Sequence, residues 1–256
     1  MTIYSIGIDA GASTIKGALV DIEQGRVVGD VQTVETPPRA TAEIVGEAVA
    51  QLAELCGAEA DTPIGIGFPA PVTRGHIPFV AHLSPTWVGM NAAKFFEDYL
   101  SRPVSILNDA DAAGLAELTY SDVVNSAQTI IFLTLGAGVG SALFTEEKLF
   151  QNTELGHIRL SDTILDAEMW VAPPVRISEN LSIEEWAERL RLYLYSIEEL
   201  FNPDLFILGG DVSEYFEEFS HLLSTRARVV PATLRNYAGI IGAARYAYTE
   251  SERVSR

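Results

Sequence analysis

The chain has 256 residues, 48% of them hydrophobic, which is enough apolar surface to bury two lobes of a compact unit; its formal charge is -18, from 17 basic and 35 acidic residues. Such acidity excludes a general nucleic-acid or anionic-membrane binder, whose affinity rests on basic surface. The lone Cys56 excludes an internal disulfide and a multi-cysteine zinc site, and the absence of a basic-then-apolar N-terminal run or of any apolar run of bilayer length gives the expectation of a cytoplasmic protein without a membrane partner.

In chain order, apolar alternation predicts strands over 3–9, 15–21 and 27–34, an amphipathic helix over 41–55 and a buried strand over 64–68. After a Pro- and Gly-rich loop come a helix over 91–100, a strand over 104–107 and an alanine-rich helix from 109. The second half repeats the theme with strands over 129–134, 139–145 and 157–160, a helix over 183–201, a strand over 205–208 and a helix over 213–223. Residues 162–180 show no clean period and read as a loop or an irregular helix. A last helix spans 236–248.

Two βββαβα units in succession predict an α/β fold of paired lobes around a central cleft, because parallel strands need helical crossovers covering both faces. The expected lobes are a small N-terminal one, 1–107, with the C-terminal segment 236–256 packed back on it, and a larger C-terminal one, 108–235, hinged near Asn108.

Each half begins with a glycine-punctuated strand pair. In the first, Asp9 ends a strand before Gly11, Ala12, Ser13 and Thr14, and Lys16 lies on the returning strand; in the second, Thr134 precedes Gly136, Ala137, Gly138 and Gly140. Small residues let backbone approach an anion and leave N–H groups pointing at it. Either copy alone reads first as an ordinary hairpin; the repetition shifts the reading toward a phosphate grip. An anionic ligand in so acidic a chain needs a local cation, which makes Lys16, one of the three lysines with Lys94 and Lys148, stand out.

Asn108-Asp109 falls where a strand gives way to a helix, the end of a parallel sheet at which ligands collect. Asp109 can act as a general base toward a hydroxyl, with Asn108 offering both a donor and an acceptor, although both residue types also cap helices. Glu154 and His157 supply a carboxylate and an imidazole suited to a polyol, Glu154 accepting two hydroxyl hydrogen bonds and His157 donating one; they do not make a metal site. Gly209-Gly210 is a strand-to-helix turn that can hold a phosphate, though Asp211 follows it. Trp87, Trp170 and Trp186 read as packing residues, with Trp87 the best placed of them to reach a cleft.

The ordered set Asp9-x-Gly11-x-Ser13-x-x-Lys16-Gly17, Asn108-Asp109 with Glu117, Leu133-Thr-Leu-Gly-Ala-Gly-Val-Gly140, Asn152-Thr-Glu-Leu-Gly-His157 and Pro203-Asp-Leu-Phe-Ile-Leu-Gly-Gly210 resembles the ROK family, in its polyphosphate glucokinase branch. The resemblance implies the actin-like, hexokinase-type (ribonuclease H-like) fold and phosphoryl transfer from polyphosphate or ATP, with Mg²⁺, to a hexose. By the same resemblance Asp109 is the catalytic base, Asn108, Glu154, His157, Gly67 and Pro69 belong to the sugar side, and the two hairpin loops with the Gly209-Gly210 turn hold the donor. A homodimer is expected, and a repressor of the same family is disfavoured because Met1 leads almost directly into a strand. Ala12, Ala137 and Asp211 on the donor side and Ala70 on the sugar side depart from the family pattern. They point to an altered donor or acceptor preference, or alternatively to a sugar-binding relative with degenerate phosphate loops.

Overall fold

The computed structural model describes residues 2–11, 14–81, 83–124 and 126–254. Its elements run β1 (Tyr4–Ala10), β2 (Thr14–Asp21), β3 (Arg26–Glu35), α1 (Ala42–Leu55), β4 (Ile64–Phe68), α2 (Ala92–Leu100), β5 (Ser105–Asn108) and α3 (Asp109–Tyr120). Then follow β6 (Thr129–Leu135), β7 (Val139–Thr145), β8 (Lys148–Phe150), α4 (Glu168–Val171), α5 (Pro173–Ser178), α6 (Ile183–Phe201), β9 (Leu205–Gly209), α7 (Phe216–Phe219), β10 (Arg228–Pro231) and α8 (Ala238–Val254). The described residues divide into two compact units, one from Met1–Tyr120 with Tyr237–Arg256, the other from Ser121–Asn236. No described helix is long and apolar enough to cross a membrane.

In the first unit five strands pair in the order β3-β2-β1-β4-β5. β1 and β2 form an antiparallel hairpin in which Asp9 faces Lys16, while on its other side β1 runs parallel to β4 with Asp9 opposite Gly67. β4 in turn runs parallel to β5, with Phe68 opposite Asn108. The register thus brings the carboxyl ends of β1, β4 and β5 to one edge of the sheet.

One face of this sheet packs on α1, whose buried Val45, Val49 and Leu52 recur at helical spacing beneath Ile6, Ile8, Ile64 and Ile66. The opposite face receives α8 at backbone distance. A Cβ on Gly7 would fall 1.8 Å from the Ile240 carbonyl oxygen, and one on Gly65 would fall 1.9 Å from that of Ala243. Matching this, α8 buries only small residues and isoleucines, Ala238 to Ala244 with Ala247. Trp87 is fully buried rather than cleft-lining: its indole N–H donates to the Ala40 carbonyl at 3.2 Å and its ring packs on Phe68, Phe95 and Phe96.

The division between units falls after Tyr120, not at 107/108. That earlier point would cut β5 from the helix its last residue caps, and α3 packs so closely along α8 that a Cβ on Gly242 would fall 1.7 Å from the Ala112 carbonyl oxygen.

The second unit repeats the pairing, in the order β10-β9-β6-β7-β8, with β6-β7-β8 antiparallel and β6, β9 and β10 parallel. Its third strand is Lys148–Phe150, where the sequence pattern placed one at 157–160. The β7–β8 turn puts Glu146 and Glu147 in the left-handed region at φ 51° and 63°, a type I′ arrangement usually marked by Asn-Gly, so its residues gave no signal. Residues Leu155–His157 form instead a short 3₁₀ turn.

The stretch 162–180 resolves into α4 and α5, broken between them at Ala172-Pro173. The helix expected over 213–223 is broken into Asp211–Tyr215 and Ser220–Leu222, both 3₁₀, around the single turn of α7. Phe219 packs edge-on against Trp186, Tyr215 and Phe216, and this tertiary packing overrides the helical period. The long α6 begins with a capping box between Ser182 and Glu185 and buries Trp186, Leu190, Tyr193, Leu194 and Ile197 on one face.

Because the atom met at Gly65 is backbone, it cannot rotate away. Gly65→Ala should therefore lower stability by about 3 kcal/mol, read from the urea midpoint, whereas Gly29→Ala, whose Cβ would meet nothing within 4 Å, should cost about 1 kcal/mol through its left-handed φ alone.

Candidate functional site

At the carboxyl edge of the first unit, Asn108 ends β5 and Asp109 opens α3. The Asn108 side-chain oxygen accepts from the backbone N–H of Ala110 at 2.9 Å and of Asp111 at 3.0 Å, which caps α3 and engages both lone pairs. Toward a ligand Asn108 is therefore a donor only, through its Nδ2, rather than the donor and acceptor that the residue type alone allows. Asp109 accepts from the Ala110 N–H at 2.8 Å and is only half-buried. Gly67 lies beside this start of α3, where a Cβ would meet the Asp109 Cα at 3.5 Å, an ordinary contact. Pro69 follows on the same loop, with Ala70 buried beside it.

Asp9 reaches the same edge from β1. Its carboxyl lies against the first turn of α8, where a Cβ on Gly239 would be 2.8 Å from Oδ2. Burial pushes its pKa up to about 6, against the pull of the Lys16 ammonium opposite. Of the first hairpin loop, Gly11 and Thr14 are described: the Gly11 carbonyl accepts from the Thr36 hydroxyl at 3.1 Å, and a Cβ on Gly11 would fall 2.7 Å from the Thr14 carbonyl oxygen. Ala12 and Ser13 lie outside the described residues.

In the second unit Thr134 pairs with Gly140 across the β6–β7 hairpin and with Gly209 on β9. The Gly136 N–H donates to the Gly138 carbonyl at 3.0 Å, and the Val139 N–H donates to the Glu168 carboxylate at 2.7 Å. Those two amides are committed within the unit. Gly210, at φ 77°, passes over Leu135 and leads into a 3₁₀ turn of five residues, too short for an appreciable helix dipole.

Glu154 and His157 are held close to this loop. Buried Ser141 of β7 donates to the Thr153 carbonyl at 2.8 Å and accepts from the Leu155 N–H at 3.0 Å, pinning the segment that carries them. His157 Nε2 is 4.0 Å from Glu154 Oε2, and its Nδ1 is 3.1 Å from Asp166 Oδ2. Burial raises the Glu154 pKa, the His157 imidazole opposes that rise, and the Glu168 charge adds to it.

Asp166 and Glu168 are the residues that sequence reasoning missed. Their one signal was a pair of carboxylates in a stretch with no helical period to explain them as a solvated face. Glu168 lies so close to the loop that a Cβ on Gly138 would fall 2.4 Å from its Oε2.

Two five-stranded sheets with the same strand order, hairpins first and parallel strands after, define the actin-like, hexokinase-type fold. A sequence model of the ROK family matches residues 5–168. The polyphosphate glucokinase of Mycobacterium leprae is 40% identical over 93% of this chain and 72% of its own length. That of Mycobacterium tuberculosis strain CDC 1551 is 38% identical over 94% and 90%. Among solved structures, the inorganic polyphosphate/ATP-glucomannokinase of Arthrobacter sp. strain KM superposes with a TM-score of 0.91 at 38% identity, covering 97% of this chain and 99% of that one. The chain belongs to the ROK family.

Two outcomes follow from this geometry. An aspartic acid whose pKa is higher folded than unfolded binds more protons in the folded state between about pH 4 and 6, so its contribution to stability is present at low pH and is lost as pH rises through 6. Asp9→Asn should accordingly be more stable than the parent by about 2 kcal/mol at pH 7 and should lose that advantage near pH 4, as urea titrations at both pH values would show. Gly138→Ala should push Glu168 off the Val139 amide and cost about 2 kcal/mol, a penalty that falls below about 0.5 kcal/mol when Glu168→Ala is already present.

Proposed function

We propose that this protein is a sugar kinase that moves a phosphoryl group from polyphosphate or ATP to a hexose hydroxyl, giving a hexose 6-phosphate. The observation that carries the reading is the presentation of Asn108 and Asp109 at the carboxyl edge of β1, β4 and β5 in a chain that shares 38–40% of its residues with polyphosphate glucokinases over almost its whole length. Asp109 removes the hydroxyl proton as the oxygen attacks phosphorus, and Asn108 donates to a neighbouring sugar oxygen through Nδ2. Glu154 and His157 bind further sugar hydroxyls, with Gly67 and Pro69 shaping the approach. On the donor side the backbone around Gly11, Ala12, Ser13 and Thr14, the hydroxyl of Thr134, the amides of Ala137 and Gly138, and the Gly209-Gly210 turn hold phosphate oxygens, with Lys16 supplying positive charge.

Among the described residues no cluster of three or more His, Cys, Asp or Glu side chains could hold a metal ion. Magnesium is commonly carried on substrate phosphates with one or two protein carboxylates. Asp9, next to the first loop, is the carboxylate that would serve, and the ion when bound screens the charge of the phosphate oxygens. The protein would act in the cytoplasm, as a homodimer.

A second reading, a sugar-binding protein without turnover, is favoured by the Glu168 carboxylate on the loop amide, since it removes a phosphate donor and places a negative charge beside the loop. Calorimetry separates the two: a kinase binds both sugar and Mg-nucleotide or polyphosphate, whereas a binding protein takes the sugar alone. For the kinase, Asp109→Asn should reduce sugar phosphate formation about a thousandfold while leaving the hexose Kd within about threefold, measured with ATP and polyphosphate supplied separately. Undiminished turnover in that variant would remove Asp109 from its role.

A further inference from the structure

The carboxylate of Asp166 joins two structures. Its Oδ1 accepts the backbone N–H of Glu168 at 3.1 Å, at the start of α4, and its Oδ2 lies 3.1 Å from His157 Nδ1. An ionised carboxylate has no proton to donate, so a hydrogen bond there requires the proton on Nδ1. The neutral imidazole then carries its lone pair on Nε2, the nitrogen on the Glu154 side, 4.0 Å from Glu154 Oε2.

We propose that Asp166 is a positioning residue that fixes the orientation and tautomer of His157, so that the neutral ring meets the acceptor sugar as a hydrogen-bond acceptor. This rests on the reading of His157 as a sugar ligand and reverses the donor role that the residue type suggested. Glu154, also acceptor-only when ionised, stands on the other side of the ring. The pair therefore selects for groups that bring a hydrogen: adjacent hydroxyls satisfy both, while an ether oxygen, carbonyl or fluorine satisfies neither. Because the same carboxylate caps the turn bearing Glu168, and Glu168 holds the Val139 amide, the imidazole and the glycine loop share one anchor.

The tautomer can be read directly. Nitrogen-15 NMR of the unliganded protein at about pH 8.5, where an ordinary imidazole is neutral, should show His157, identified among the four histidines by its loss in His157→Gln, with a protonated Nδ1 and an unprotonated Nε2. Asp166→Asn presents an amide that can no longer accept at both positions and should shift the ring toward protonated Nε2. It should also raise the hexose KM about tenfold with kcat changed less than about threefold. Asp166→Glu, which keeps the carboxylate, should restore the tautomer and most of the affinity, and retains the test should the Asn variant fold poorly.

A protonated Nε2 in the parent, or an unchanged ring in a folded Asp166→Asn, would overturn the proposal. Absence of sugar phosphate formation by the parent would instead overturn the kinase reading, leaving the NMR result to decide the ring's orientation by itself.

Discussion

Helix α8 can lie directly on β1 and β4 only because residues 7 and 65 carry no side chain where its backbone carbonyls pass. Much of the first unit's carboxyl edge depends on that approach. α8 at this depth brings its first turn against Asp9 and its small-residue face against α3, and α3 so placed is capped by the last residue of β5. The cost of removing Asp9 from water is one consequence, and it is why this carboxyl holds its proton to an unusually high pH. The packing that seats the helix thus also sets the chemistry of the neighbouring strand end.

The second unit reaches a comparable arrangement by different means. There hydrogen bonds do the holding: Ser141 pins the Glu154 segment to β7, Asp166 bridges His157 and the start of α4, and Glu168 closes on the glycine loop. The Asp166 and Glu168 carboxylates are tolerated two residues apart because each accepts from a backbone amide, and Asp166 from an imidazole as well, which compensates for lost hydration. Tyr193, whose buried hydroxyl has no hydrogen-bond partner among the described residues, lies in the same field: burial, and secondarily the Glu168 charge, push its phenol far above the ordinary range.

The repeated hairpins, the buried strands and the long helices were legible in the sequence because each has a strong period over a sufficient length. Asn108, Asp109, Glu154 and His157 stood out as candidates because they are polar residues at strand ends or in tight clusters. What was lost lacked those signals. β8 is only three residues long and turns through two glutamates in a conformation that side chains disfavour. The breaks after Asp211 come from aromatic packing that no local pattern encodes. Asp166 and Glu168 act through neighbours distant in sequence, Glu168 on an amide 29 positions away, so their spacing alone carried no meaning. Asn108 ends β5 where the pattern put the end of a strand, but its restriction to donating emerged only once its oxygen was seen to cap α3.

The return of α8 to the first unit also has a consequence for the order of synthesis. Residues 121–236 are contiguous, so the second unit's packing partners are all present once that segment has left the ribosome. The first unit begins earlier in the chain but keeps much of one face of β1 and β4 uncovered until residues 238–254 are made. The half translated first is therefore the half completed last, and through most of translation its glycine-lined strands await the helix that covers them.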